Sequence, residues 1–311
     1  MNSTTKDIVS ALGFAEEIDH LRRIIAEWIK TTDPAMHEML RWQFDQGSKY
    51  FRPLTIFACH RGKYGGAIPA SLIRRAVVLE MMHNVSLIID DIVDRSEKRR
   101  GVDTVHHRFG QLSALMVSGY IVAEGFRMSS DRPYDIGVFS ELLKRLGVAE
   151  CVQWNLRRQP GGYADWEAIA HEDTGSMFEV CAALVTEDGS MRKFGSLIGM
   201  LYHGCDDVAD VKGLASLGEG GEDDLRDGIL TLPAALAIEA DPAILNLFCK
   251  PQPQDHELKV IAGAMTAKLP QADDKLDELA RRAKWEAQRH AAAAPQGLYD
   301  LVDYTRELSR R

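Results

Sequence analysis

Along almost the whole chain, apolar positions recur at intervals of three and four residues, the repeat of an amphipathic α-helix. Near the C-terminal end, Leu276, Leu279, Ala280, Ala283 and Ala287 fall on one face of such a helix. Alternating β-branched runs flanked by hairpin turns are missing, so the pattern predicts an all-α fold, an antiparallel bundle of helices. The periodicity breaks at 62–69, 129–133, 159–162, 212–221 and 251–253, where glycine, proline and polar residues gather. None of these breaks is long enough for an interdomain linker, and no internal repeat of fixed period is present. One helical domain over residues 1–311 is therefore expected. The acidic, glycine-rich stretch 217–224 reads either as a mobile lid or as a plain solvated loop.

Composition narrows the picture further. The chain has 311 residues, 45% of them apolar and 27% charged, as in an ordinary globular protein with a sizeable core. A formal net charge of -9 offers no long-range attraction to nucleic acid or to an anionic membrane, so neither is expected as a partner. The five cysteines (Cys59, Cys151, Cys181, Cys205 and Cys249) are widely spaced without a zinc or disulfide pattern, and are read as reduced core thiols. The N-terminus lacks a basic start followed by an apolar run, and no apolar segment approaches the roughly 20 residues that span a bilayer. A cytoplasmic location is the default.

Against this background the informative feature is Asp90-Asp91-Ile92-Val93-Asp94, repeated with the same internal spacing as Asp206-Asp207-Val208-Ala209-Asp210. On a helix each residue turns by about 100°, so the first and last aspartates of each motif lie about 40° apart and point the same way. Each motif follows an apolar run, 85–89 and 197–201, and carboxylates on buried helix faces need a cation. Hard oxygen ligands suit Mg²⁺, which keeps several waters and is completed by substrate phosphate oxygens. A single acidic motif would usually be a solvated helix face; the pair points to a shared metal and diphosphate site. The cationic set Lys49, Arg52, His83, Arg99 and Arg100 would match such an anion. Taken singly, His83 is a core histidine and the others are surface charges.

With these residues in hand, the chain resembles the trans-isoprenyl diphosphate synthase (polyprenyl synthetase) family over essentially its whole length. The runs 83–94 and 99–101 are particularly similar to geranylgeranyl diphosphate synthases, with weaker echoes at 174–178, 224–228 and 231–233. The resemblance implies a helical bundle around a deep cavity, with the two aspartate motifs facing each other across its mouth and Mg²⁺ between them. It implies Asp90, Asp94 and Asp206 as metal ligands, supported by Asp91, Asp207 and Asp210. Lys49, Arg52, His83 and Arg100 match the isopentenyl diphosphate pocket, and Arg99 matches a ligand of the allylic diphosphate. The implied reaction ionises an allylic diphosphate and joins it to isopentenyl diphosphate, in a homodimer. Product length in the family is limited by side chains before the first motif, here Val85 and Ser86, then Met81 and Met82, which favours geranylgeranyl diphosphate.

The chain departs from the family pattern on the allylic side. A Lys-Thr pair appears as Asp173-Thr174, and a Gly-Lys pair as Gly228-Ile229. An aromatic-Gln pair appears as Tyr202-His203, a glutamine as Val152 or a shifted Gln153, and a Gly-Asp pair as Gly119-Tyr120. Either other cations, with Lys212, Arg226 and His203 as candidates, serve the allylic diphosphate, or the task has changed. The alternatives are a terpene cyclase, a prenyltransferase with a different acceptor, and a noncatalytic partner subunit.

Overall fold

The computed structural model describes residues 8–99, 101–213 and 221–310, the side chains of 221–223 excepted. Among them the only strands form one two-stranded ribbon, and the chain is otherwise helical, as the apolar periodicity predicts. It packs as two compact units, Met1–Leu143 with Val180–Ser190 and Ala291–Gly297, and Lys144–Glu179 with Met191–His290 and Leu298–Arg311.

The first unit contains α1 (Ala15–Thr31), α2 (Pro34–Asp45), α3 (Phe51–Tyr64) and α4 (Ala70–Val93), followed by the ribbon β1 (Lys98–Arg99) and β2 (Val102–Asp103). Then come α5 (Val105–Phe109), α6 (Gln111–Met128) and the start of α7 (Pro133–Leu156). Helix α4 is apolar nearly all round, and α1, α3 and α6 pack against it. Its Met81, Met82, Val85 and Ile88 are all buried. Contact with α6 is close at Gly125, where a Cβ would stand 2.5 Å from Met82 Cε. Arg75, the buried cation of α4, is satisfied by a fork onto the buried Asp135, the pairing a buried charge requires.

The second unit contains the rest of α7, then α8 (Tyr163–Ala170), a π-helical turn (His171–Gly175), the first half of α9 (Ser176–Ala183), whose residues from Val180 on count with the first unit, and α10 (Arg192–Val211). It continues with α11 (Gly221–Asp227), α12 (Leu232–Ala240), α13 (Pro242–Phe248), α14 (Asp255–Ala267), α15 (Leu269–His290) and, from Leu298 on, α16 (Gln296–Glu307). Helix α10 runs between α15 and the π-helical turn. The apolar face of α15 expected from sequence is the one that packs, with Leu276, Leu279, Ala280, Ala283 and Ala287 all buried. Gly199 on α10 lets the π-helical turn approach, since a Cβ there would lie 2.7 Å from the Gly175 Cα and the Thr174 carbonyl oxygen. Of the acidic stretch 217–224, residues 217–220 lie outside the described residues and 221–224 open α11.

All five cysteines are free thiols, but only Cys59, Cys181 and Cys205 are core residues; Cys151 is exposed and Cys249 partly so. The helical period places Cys151 beside Val148 and Val152 on a solvent face of α7, which apolarity alone did not reveal. No helix among the described residues is long and apolar enough to cross a membrane.

Candidate active site

The first aspartate motif closes α4. Asp90 and Asp91 lie in its last turn and Asp94 is its C-cap, with the Asp94 N–H donating to the Asp90 carbonyl at 2.8 Å. The helical spacing thus persists through Asp94. Asp90 is half-buried and Asp94 exposed, whereas Asp91 is buried. Burial, with a smaller push from Asp94, raises the Asp91 carboxyl, and the Arg99 guanidinium opposes it. The ribbon turns the chain at Gly101, whose φ of +75° suits glycine, and returns Arg99 so that its Nε donates to Asp91 Oδ1 at 2.8 Å. Arg99 therefore neutralises the middle carboxylate of the motif, a contact the spacing of the sequence did not show.

Upstream on the same helix, His83 is buried, and Arg52 Nη1 lies 2.9 Å from its Nε2. A guanidinium only donates, so Nε2 of His83 is the acceptor in this contact. The loop 46–50, which carries Lys49 and leads into Arg52 in the first turn of α3, is held in unusual backbone conformations, with φ of +81° at Gly47 and +53° at Tyr50, the residue before α3. A tyrosine at positive φ is a strained choice that surrounding contacts must enforce. Those contacts are Ser48, whose Oγ donates to Glu80 of α4 at 2.7 Å and accepts the Tyr50 N–H at 3.1 Å. Lys49 is half-buried in this loop; Arg100 lies outside the described residues. Beneath the loop is a cavity of about 440 Å³, where Tyr50, Glu80, His83, Asn84 and Arg99 meet Arg22 from α1. Sequence reasoning missed Glu80, Ser48 and Arg22, which bear on the site only through the packing of α1 and the loop on α4.

The second motif lies inside α10, so Asp206 and Asp210 are again one turn apart. Both are half-buried, and one oxygen of each is closed to solvent. The middle residue, Asp207, is held by neutral donors: Trp166 Nε1 at 2.7 Å and the backbone N–H of Leu232 at 2.8 Å, both onto Oδ2. Burial raises the Asp207 carboxyl, opposed first by His203 and then by these two donors. His203 lies between Asp207 and the π-helical turn, with Nε2 4.0 Å from Asp207 Oδ1 and Nδ1 3.4 Å from Asp173 Oδ2. Burial pulls the imidazole down, but Asp207, Asp173 and Asp206 together outweigh it and raise its pKa to about 9. Of the three candidate substitute cations, Lys212 is turned to Asp273 and the Ser309 carbonyl. Arg226 is exposed beside Asp255. Only His203 sits at the motif. Thr174, marked in the sequence by the Asp173-Thr174 pair, lies here as well, and Trp166 is a further residue of this site with no local signal in the sequence.

The donor set fits Mg²⁺: each motif offers paired carboxylates one turn apart, the hard oxygen ligands this ion prefers. Among the described residues no group of three or more His, Cys, Asp or Glu converges into a cage, and an ion that retains water and takes phosphate oxygens does not require one.

Comparison with known proteins gives the class. The chain belongs to the polyprenyl synthetase family, which it matches over residues 33–265. It is 27% identical to a geranylgeranyl pyrophosphate synthase of Geoglobus acetivorans, across 76% of this chain and 78% of that protein. It is 23% identical to the chloroplastic solanesyl diphosphate synthase 2 of Arabidopsis thaliana, across 79% of this chain and 64% of that one. The chain thus spans less than two thirds of the length of this plant relative. Among solved structures, a polyprenyl synthase from Caulobacter crescentus CB15, complexed with calcium and isoprenyl diphosphate, superposes with a TM-score of 0.86 at 20% identity. That superposition covers 99% of this chain and 98% of the other, and establishes the helical isoprenoid synthase fold.

Proposed function

We propose that the protein is a Mg²⁺-dependent prenyltransferase that condenses an allylic prenyl diphosphate with isopentenyl diphosphate, giving geranylgeranyl diphosphate. The observation that carries this reading is the first motif and the cations about it: carboxylates Asp90 and Asp94 one turn apart, Arg99 returned onto Asp91, and Arg52 set against His83 two turns upstream on α4. Asp90, Asp94 and Asp206 hold the metal ions, and Asp91, Asp207 and Asp210 support them. When bound, the ions supply charge neutralisation for the departing diphosphate. Lys49, Arg52, His83 and Arg100 bind the isopentenyl diphosphate, with the strained loop fixing the first two in place. The arrangement of Arg99 on Asp91 keeps a cation beside the motif in the absence of ligand. Apolar side chains of α4 exclude water from the allylic cation, and the buried Met81 and Met82 set the product length.

The two units are read as parts of one catalytic domain, working in the cytoplasm as a homodimer. Support for the dimer comes from α6, where Leu112, Leu115 and Met116 are 71%, 46% and 54% exposed on one helical face, an apolar stripe that a second copy would cover. Sedimentation velocity at micromolar concentration is expected to give twice the chain mass.

The test is mass spectrometry of products formed from Mg²⁺, isopentenyl diphosphate and, separately, dimethylallyl, geranyl or farnesyl diphosphate. Elongated diphosphates ending at geranylgeranyl support the proposal. A second reading is favoured by one specific observation, the carboxylate of Asp173 beside the second motif where the resembling family carries lysine. It makes the protein a cyclase or a prenyltransferase with another acceptor. Hydrocarbon or alcohol formed without isopentenyl diphosphate indicates the cyclase.

A further inference from the structure

Helix α1 carries two adjacent arginines, Arg22 and Arg23, that the reaction has not yet used. Arg22, Ile25, Ala26 and Ile29 recur at the spacing that places them on one face of a helix. That face begins with a guanidinium and continues as an apolar wall. It forms one side of the cavity of about 440 Å³ beneath the loop 46–50, and Arg23 lines the same cavity. The size falls within the range of about 300–1,000 Å³ usual for small-molecule sites. Among the described residues that line it there is no aspartate of either motif, nor Lys49 nor Arg52. The cavity adjoins them through two of its wall residues, His83, which faces Arg52, and Arg99, which donates to Asp91. Arg22 is held loosely. It hydrogen-bonds the hydroxyl of the buried Tyr50, which turns it over the cavity, and its pair with Asp19 is an exposed one at 3.5 Å, of little worth in water. A guanidinium has five N–H donors, so several stay open to a ligand. The walls also carry carboxylates, but Glu80 is engaged by Ser48 Oγ at 2.7 Å, and Asp19 and Asp45 are exposed, where water solvates them once a ligand takes the guanidinium. Helix α1 precedes residues 33–265, the stretch that matches the family, so this pair of arginines lies outside the shared pattern.

We propose that this cavity binds a short prenyl diphosphate without metal, with Arg22 and Arg23 donating to the diphosphate oxygens and Ile25, Ile29 and Phe44 receiving the hydrocarbon. Two planar forks from one helix suit a group with several anionic oxygens. The ligand has two sources: the isopentenyl diphosphate acceptor itself, or a second prenyl diphosphate that regulates the enzyme. Either one acts on the reaction through Tyr50, whose left-handed backbone leads directly into the helix that carries Arg52. The proposal deepens the prenyltransferase reading, and its kinetic arm alone rests on that reading.

The experiment is calorimetry of the full chain with isopentenyl diphosphate in the presence of a chelator, where no metal ion joins the ligand to an aspartate. Arg22→Met combined with Arg23→Met keeps the aliphatic stems and removes both forks. Both side chains are exposed, so the variant is expected to melt with the wild type. It is expected to bind isopentenyl diphosphate about tenfold more weakly, the scale of a lost charge-assisted hydrogen bond, and inorganic diphosphate more weakly by a similar factor. Arg22→Lys combined with Arg23→Lys keeps the charge without the fork, and is expected to come within about threefold of the wild type. Kinetics separate the two sources. If the acceptor itself fills the cavity, Arg22→Met with Arg23→Met raises the KM for isopentenyl diphosphate about tenfold and leaves the allylic KM within about twofold. If a second molecule fills it, both KM values stay and the inhibition of the wild type by excess isopentenyl diphosphate is lost. Unchanged binding of isopentenyl diphosphate in Arg22→Met with Arg23→Met overturns the proposal, and so does an equal loss when both arginines become lysine. A wild-type protein that turns over no primer, yet loses diphosphate binding on the same substitutions, removes the prenyltransferase reading and leaves the site standing.

Discussion

The two aspartate motifs share one spacing and one helical geometry, yet the protein treats their middle carboxylates differently. Asp91 is neutralised by Arg99, a permanent cation delivered by a two-stranded ribbon. Asp207 is held by an indole and a backbone N–H, with an imidazole as the nearby positive group. The same sequence word thus carries two electrostatic solutions. In the first unit the charge is built in at every pH where the fold exists; in the second it depends on a group that titrates. The first solution accompanies a cavity ringed by His83, Tyr50, Asn84 and Arg22. The second accompanies the positions where the chain departs from its family.

If both motifs hold metal, they are expected to be equally indispensable however differently they are built. Asp90→Asn and Asp206→Asn should each lower turnover by about a hundredfold or more, the scale of losing a charge-stabilising group, in a product-formation assay at fixed Mg²⁺. A large effect for one and a small effect for the other would show that the difference in construction is also one of function. Next in size is Met82→Ala, which opens α4 where it meets α6 at Gly125. Removing this fully buried side chain is expected to cost about 2–5 kcal/mol and to lengthen the product by at least one isoprene unit; an unchanged product removes Met82 from the tunnel floor.

The middle carboxylates can be compared directly by denaturant titration. Arg99→Ala leaves Asp91 buried beside no guanidinium and is expected to cost about 2 kcal/mol. Trp166→Phe leaves Asp207 its backbone donor and is expected to cost about 1 kcal/mol for the hydrogen bond. A reversal of that order would mean the indole, not the arginine, is the stronger anchor.

The smallest effect is one of pH. His203 has a folded pKa of about 9, above its ordinary value of 6.5. The native state therefore binds the proton more tightly, and the stability it contributes is fully present below pH 6.5 and lost as pH rises through about 9. His203→Asn is expected to flatten the fall in melting temperature over that interval. Asp91 and Asp207 are also raised, and as acids they act in the acidic range: the stability lost to their burial is regained as pH falls through their folded values.

Much of the fold was legible because helical amphipathicity is local. The face Leu276, Leu279, Ala280, Ala283 and Ala287 needed only a count of residues, and so did the one-turn spacing of each aspartate pair. The helix ends near 64, 128 and 156 lie at or close to the breaks marked by glycine and proline. What the sequence did not disclose depends on chain segments meeting through space. Trp166 reaches Asp207 from 41 residues away, and Glu80 reaches Ser48 across 32. The π-helical turn at 171–175 carries no compositional mark, yet it determines that the two departures Asp173 and His203 lie against each other. Noted separately along the chain, they are one arrangement in space.

The most direct measurement is the incorporation of labelled isopentenyl diphosphate into a prenyl chain by the purified protein, with and without an allylic primer and with and without Mg²⁺. Incorporation that requires primer and metal together is the expected result, and would show that a second side rebuilt around Asp173 and His203 still supports elongation. No incorporation with any primer, under conditions where the protein is folded, would contradict the prenyltransferase reading.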